Sequence, residues 1–167
     1  MTESNTPAHL LPAIGLLAGV SEEHRSFLAC FGKYLRPAEG DTVIIEGEIQ
    51  DTLYVILSGM LHVVTAMDTK RPTFLAALGA GDSMGEIGLF HPGTASATVV
   101  VRSSSALVWS LSREELDAFL DADPVVGVVV LRAILGQLSQ RIRAMNEKLA
   151  IAEKKSSIHE LLNQHSK

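Results

Sequence analysis

Between residues 34 and 111 apolar and polar positions alternate in short runs separated by glycine, aspartate, serine and proline. The runs 42–45, 53–57, 60–66, 73–78, 97–101 and 106–111 read as strands, the first of them wholly β-branched. Spacings of roughly 8–12 residues between such strands predict a β-sandwich or jelly roll. On either side the period lengthens. Residues 12–31 predict a helical stretch, with Ser21 as a cap, Glu22 and Glu23 in the first turn, and Phe27, Leu28 and Phe31 on the apolar face. Position 24 is histidine, so Ser21 lacks the glutamate that completes a capping box. Ser112 has that partner in Glu115 and opens a helix carrying Leu116, Phe119 and Leu120.

Pro124 then starts a longer helix, proline being suited to a first helical position. Along it Leu131, Leu135, Leu138, Ile142, Met145, Leu149 and Ala152 recur at alternating steps of four and three. A repeat averaging about 3.5 residues is the seam of a two-chain coiled coil, whereas docking on the same domain gives a broader stripe. This predicts a homodimer. Ser157 and Glu160 form a second capping box, predicting a short last helix with Leu161 and Leu162. The expected architecture is mainly β with flanking helices: a double-stranded β-helix (jelly roll) with N-terminal helices and a long C-terminal dimerisation helix. Its expected parts are a flexible terminus over 1–11, the β-roll over 12–123, the dimerisation helix over 124–155 and a short helix or tail over 156–167.

Composition narrows the partners. With 47% hydrophobic and 20% charged residues the chain is a globular protein, not a disordered one. Only 5% is aromatic, which argues against stacking platforms for single-stranded nucleic acid. Residues 1–124 hold 7 Lys/Arg against 16 Asp/Glu, while residues 125–167 hold 7 against 3. The bulk is thus a poor match for nucleic acid, and the basic helix reads as a solvated face. The single Cys30, on an apolar helix face, reads as core and excludes an intrachain disulfide. No unbroken apolar run reaches about 18 residues, so no membrane span is expected. The first 20 residues lack a basic start and apolar stretch, so a cytoplasmic location is expected. None of the six histidines forms an H-x-H pair, and no metal site is expected. Neither a nucleophile–base pattern nor a P-loop is present, so no enzyme is expected. Glu46 and Glu48 read as turn residues.

The segment 81–99 concentrates the candidate chemistry. Its pattern is a strand end, a glycine turn, one helical turn, a Pro92-Gly93 turn and a new strand. Gly85 and Gly88 permit close approach of the backbone to a ligand. Amides at the start of the short helix present donors to an anion, and Glu86 supplies one fixed acceptor.

These residues resemble the cyclic nucleotide-binding domain family. Similarity runs from about residue 16 through the long helix. It is carried by Leu17-Ala18-Gly19-Val20-Ser21, Gly40-Asp41, Glu46-Gly47-Glu48, Asp51, Leu53-Tyr54-Val55-Ile56, Gly59, Gly81-Asp82 and Gly85-Glu86-Ile87-Gly88-Leu89. The resemblance implies a phosphate-binding cassette of Gly85, Glu86, Ile87, Gly88, Leu89, Ala95, Ser96 and Ala97. Its amides would face a cyclic phosphate, Glu86 would accept from a ribose hydroxyl, and Ser96 and Ala97 would lie under phosphate and base. No cofactor is implied; the implied ligand is cyclic AMP or cyclic GMP.

Three departures qualify what is implied. Ala95 stands where the family pattern has arginine, removing a charge-assisted pair worth ~1.5–3 kcal/mol. Lys70, Arg71 and Arg102 are the candidate replacement cations. Met145 and Asn146 hold the long-helix places that reach the base; Asn146 can bond a base edge, while Met145 also fits the seam. Only 14 residues follow Glu153, too few for a helix-turn-helix domain, so no direct nucleic-acid contact is expected. The expectation is a stand-alone sensor that relays a bound ligand to an unknown effector protein. The alternatives are a non-binding dimerisation scaffold, the sensor half of a transcription regulator, or a sensor of another ligand such as an organic acid or haem.

Overall fold

The computed structural model describes residues 11–66 and 72–164, with side chains omitted at 152 and 155–164. It divides into two units, Met1–Ala133 and Ile134–Lys167.

Ten strands and several helices make up the described part of the first unit. Strands β1 (Lys33–Leu35), β10 (Leu107–Ser112), β4 (Thr52–Ser58) and β7 (Ser83–Met84) form one antiparallel sheet, ordered β1-β10-β4-β7. Strands β2 (Thr42–Ile44), β9 (Thr98–Val101), β5 (Leu61–Thr65) and β6 (Thr73–Leu78) form the second, ordered β2-β9-β5-β6. A two-stranded ribbon pairs β3 (Ile49–Gln50) with β8 (Gly93–Thr94). This is the jelly roll expected from the strand spacing.

Six strands coincide with the six predicted apolar runs. The other four are two or three residues long, too short for alternation to register. Between the sheets lies an apolar cluster of Ile44, Ile56, Leu61, Met84, Val99, Val101, Ala106 and Val108. Alternation divides β4 between two faces: Tyr54 and Ile56 meet this cluster, while Leu53 and Val55, on the opposite face, are buried outside it.

The predicted helix over 12–31 is instead two pieces, a 3-10 turn Gly15–Leu17 and helix α1 (Glu22–Ala29). Ser21 interrupts them: its side chain accepts from the His24 N–H at 3.3 Å, so capping starts a new helix there. Leu11, assigned above to the N-terminal arm, is fully buried, and its carbonyl accepts from Arg25 Nε at 2.7 Å. Cys30 caps the C-terminus of α1 and is exposed, not core, because the helix ends before turning it inward. Helix α3 (Arg113–Ala122) opens with the complete Ser112/Glu115 capping box.

Helix α4 runs unbroken over Pro124–Gln164, so the second capping box starts no separate helix; backbone propagation continues through Ser157. In its first turns Val126 and Val130 are buried, and a Cβ on Gly127 would press on Leu120 of α3. Further along, Leu131 and Leu138 are half-buried, while Leu135, Ile142, Met145 and Leu149 are 58%, 58%, 69% and 60% exposed. The stretch Pro124–Ile151 is long and apolar enough, by length and composition, to cross a membrane. The sequence expectation counted unbroken apolar runs and missed this, since Arg132 divides the stretch. A membrane span is apolar all round, whereas this stretch carries Arg132, Arg141, Arg143, Glu147 and Lys148.

Candidate functional site

The cassette residues come together in the crossover between β7 and β9. Gly85 ends β7 in the left-handed region (φ +81°) and starts helix α2 (Glu86–Phe90). A single turn of helix forms because the Leu89 N–H bonds the Gly85 carbonyl at 3.1 Å and His91 N–H bonds that of Ile87 at 2.8 Å. The N–H groups of its first turn have no acceptor within so short a helix. Glu86, Gly88 and Leu89 are buried, whereas Ile87 is 71% exposed and points away from them.

The two cassette glycines have a use beyond the one their spacing suggested. A Cβ on Gly85 would overlap the Thr52 carbonyl and the Gln50 side-chain amide, and a Cβ on Gly88 would overlap the Gln50 carbonyl. They let α2 lie directly on the β3–β4 backbone, which sets the position of Glu86. Gln50 and Thr52 are thus site-positioning residues that the sequence reading missed. The Gln50 amide donates to the Thr52 carbonyl, closing the shelf. The glycine spacing was a signal for close approach; what approaches was settled by strand pairing, of β3 with β8 and of β4 with β7.

The far end of the cassette is fastened to the turn between β2 and β3. The Gly47 N–H donates to the Ala95 carbonyl (2.9 Å), and the Ala95 N–H donates to the Glu48 carbonyl (2.8 Å). The Glu46 N–H donates to Thr98 Oγ1 at 3.0 Å. The Glu46 carboxylate accepts from Thr65 Oγ1 (2.8 Å) and the Ala66 N–H (2.9 Å), so Glu46 is the turn residue expected and also ties the turn to the end of β5. Ala95 packs its methyl against the apolar cluster of the roll. Ser96 is exposed and Ala97 half-buried. Met145 and Asn146 are exposed on α4 within the second unit.

Among the described residues Glu86 is the one buried carboxylate and Arg25 the one buried cation. Arg25 is committed elsewhere, to the carbonyls of Leu11 and Val20. Arg102 follows the end of β9 opposite to Ala95, is exposed, and bonds through its N–H to the Met60 carbonyl at 2.9 Å. It therefore does not replace the missing guanidinium. Lys70 and Arg71 lie outside the described residues. A cavity of about 240 Å³ opens beside β2, β3 and β4, lined by residues 42–45, 48–52 and 54; neither Glu86 nor Ala95 lines it. No group of three or more potential metal ligands occurs among the described residues.

The fold is a two-sheet jelly roll with a glycine-capped helical turn in one crossover. Residues 36–123 match the cyclic nucleotide-binding domain model, more than half the chain, and the chain belongs to that family. A CRP-like cAMP-activated global transcriptional regulator of Mycobacterium tuberculosis is 32% identical over 146 residues, covering 84% of this chain and 61% of the regulator. The chain thus spans about three fifths of that relative's length. A cyclic nucleotide-binding domain from Methylobacillus flagellatus superposes with a TM-score of 0.71 at 26% identity, covering 78% of this chain and 72% of that one. The catabolite activator protein of Thermus thermophilus shares the fold with a TM-score of 0.71 at 22% identity, covering 83% of this chain and 62% of the other.

Proposed function

We propose that the chain is a regulatory sensor: a cyclic nucleotide or related small ligand binds at the cassette of residues 85–89 and 95–97, and α4 relays occupancy to a partner protein. The observation that carries this reading is the rigid seating of α2, with buried Glu86, on the β3–β4 backbone. The similarity to a regulator described as cAMP-activated supports the ligand class. The exposed 3-4 stripe of α4 supports pairing of two chains. In that frame Lys148 takes a g position and Glu153 the e position five residues on. A parallel pair therefore sets each Lys148 against Glu153 of the second chain. Relay requires that the ligand bind one arrangement of α4 better than another.

Restoring the cation tests the site. Ala95→Arg places a guanidinium at the position that resembles the family's arginine; Ser96→Arg supplies it one residue on, from an exposed position. At least one folded variant is expected to gain ~10- to 150-fold in calorimetric affinity for cyclic AMP or cyclic GMP, the equivalent of ~1.5–3 kcal/mol. Hydrogen exchange over 85–98 and in α4 is expected to slow on binding. If neither folded variant binds either nucleotide, the sensor reading fails and the scaffold reading takes its place.

A further inference from the structure

We infer that Glu46 is the positioning residue for the far arm of the cassette, residues 95–97. Its carboxylate closes the end of β5 and so keeps the arm on the turn and out of the sheet. That a ligand meets the arm there rests on the sensor reading above. The cassette has two anchorages. Over residues 85–88 backbone is laid on backbone, through Gly85 and Gly88. At Ala95 the attachment is a pair of hydrogen bonds to the turn 45–48, the Gly47 N–H donating to the Ala95 carbonyl (2.9 Å) and the Ala95 N–H to the Glu48 carbonyl (2.8 Å). Burial does not hold that turn: Ile45 is 47% exposed, and Gly47 and Glu48 are exposed too. Glu46, half-buried, holds it by hydrogen bonds. Its N–H donates to Thr98 Oγ1 at 3.0 Å, and its carboxylate accepts from Thr65 Oγ1 at 2.8 Å and from the Ala66 N–H at 2.9 Å. Among the described residues no other side chain of the turn forms a hydrogen bond.

Strand register explains why this carboxylate matters to the arm. The ladder between β5 and β9 runs Leu61↔Val101, His62↔Val100, Val63↔Val99 and Val64↔Thr98, and there it stops. One more rung would set Thr65 opposite Ala97 and draw the arm into the sheet. Glu46 reaches that place instead, taking the Thr65 hydroxyl and the Ala66 N–H. The Thr98 hydroxyl binds the same residue, so both strands are gripped at the point where they part. Bonds to a carboxylate are charge-assisted and roughly twice as strong as neutral ones. The strand after the turn, β3, is only two residues long and adds little pairing of its own.

Amide hydrogen exchange, read residue by residue by NMR on the full chain without ligand, tests the inference. Glu46→Ala is expected to speed exchange of the Gly47 and Ala95 N–H groups about ten-fold, since their bonds depend on the turn. The Leu89 and His91 N–H groups of α2, at the other anchorage, are expected to change by less than about three-fold. Glu46→Gln is expected to keep the rates of the unaltered chain, because its amide can accept from Ala66 and donate to the Thr65 hydroxyl. Thr65→Val removes one of the two donors; it is expected to act in the same direction by about three-fold, and it decides the matter if Glu46→Ala does not fold. Equal acceleration at Leu89 and His91, none at Gly47 and Ala95, or a glutamine variant as fast as the alanine variant overturns the inference. In a cation-restored chain that binds cyclic AMP or cyclic GMP, adding Glu46→Ala is expected to weaken binding about ten-fold, and an undiminished affinity also overturns the inference. If neither Ala95→Arg nor Ser96→Arg binds while exchange behaves as expected, the sensor reading falls and the hold of Glu46 on the arm stands. If one of them binds while exchange does not respond, the sensor reading stands and the inference falls.

Discussion

Three glycines allow the seating of α2 to be measured. Gly40 has a φ of +87° with open space around it, so Gly40→Ala reports the left-handed conformation alone. That conformation costs a non-glycine residue ~1–2 kcal/mol, less ~0.4–1 kcal/mol regained by restricting the unfolded chain. Gly88 has no positive φ, but its Cβ would run into the Gln50 carbonyl. Backbone cannot swing aside as a side chain can, so Gly88→Ala falls at the upper end of the ~1–3 kcal/mol range for overpacking, offset by up to ~1 kcal/mol of helix propensity. Gly85 combines a φ of +81° with overlap of the Thr52 carbonyl. Its substitution sums both terms, for about 4 kcal/mol. The expected ranking is Gly85→Ala well above Gly88→Ala, with Gly40→Ala near 1 kcal/mol. Urea denaturation of the full chain measures the three differences, and at ~2–4 °C per kcal/mol a melting shift of about 10 °C is expected for Gly85→Ala. A Gly85→Ala cost no larger than that of Gly40→Ala would refute close contact between cassette and shelf.

Three further outcomes follow from the geometry. Ile142→Lys puts a charge in the exposed stripe and is expected to shift the chain from dimer to monomer in sedimentation; an unchanged mass, or a monomeric unaltered chain, counts against pairing. Glu153→Lys is expected to weaken the pair at low salt, and combining it with Lys148→Glu to restore it. The chain's two tyrosines, Tyr34 and Tyr54, both have phenol pKa values raised above 10.0, first by burial and then by the neighbouring Cys30 and Asp51 respectively; a hydrogen bond from Thr52 partly offsets the rise at Tyr54. The folded state therefore holds these protons more tightly than the unfolded one. Their contribution is complete below pH 10.0 and is lost as pH rises through the raised values. Phenolate absorbance is expected to lag behind that of free tyrosine until alkaline unfolding; titration at the free value would contradict burial of both rings.

The main strands were legible because period-two alternation is a direct imprint of a sheet with one buried face. Val99 and Val101 in the run 98–101 show it without any tertiary knowledge. The helix starts at Ser112 and Pro124 were equally local, since capping chemistry acts within four residues. The stop at Ser21 was misread because an isolated cap residue can sit inside or at the start of a helical pattern, and only packing tells which.

The site divides along the same line. Gly85, Glu86 and Gly88 could be picked out from spacing and family resemblance, because a positive φ or a close approach demands glycine at a fixed place. The surfaces they approach could not, since Gln50 and Thr52 lie more than thirty residues earlier in the chain and meet the cassette only through strand pairing. Exclusion of Arg102 likewise needed the direction of β9, a property of the assembled sheet. By itself the sequence determined the roll, the cassette's backbone requirements and the apolar stripe of α4, all of which are local or periodic. The tertiary structure alone decided what the glycines touch and which charges share the cassette's surroundings, because contacts across long stretches of chain leave no periodic trace.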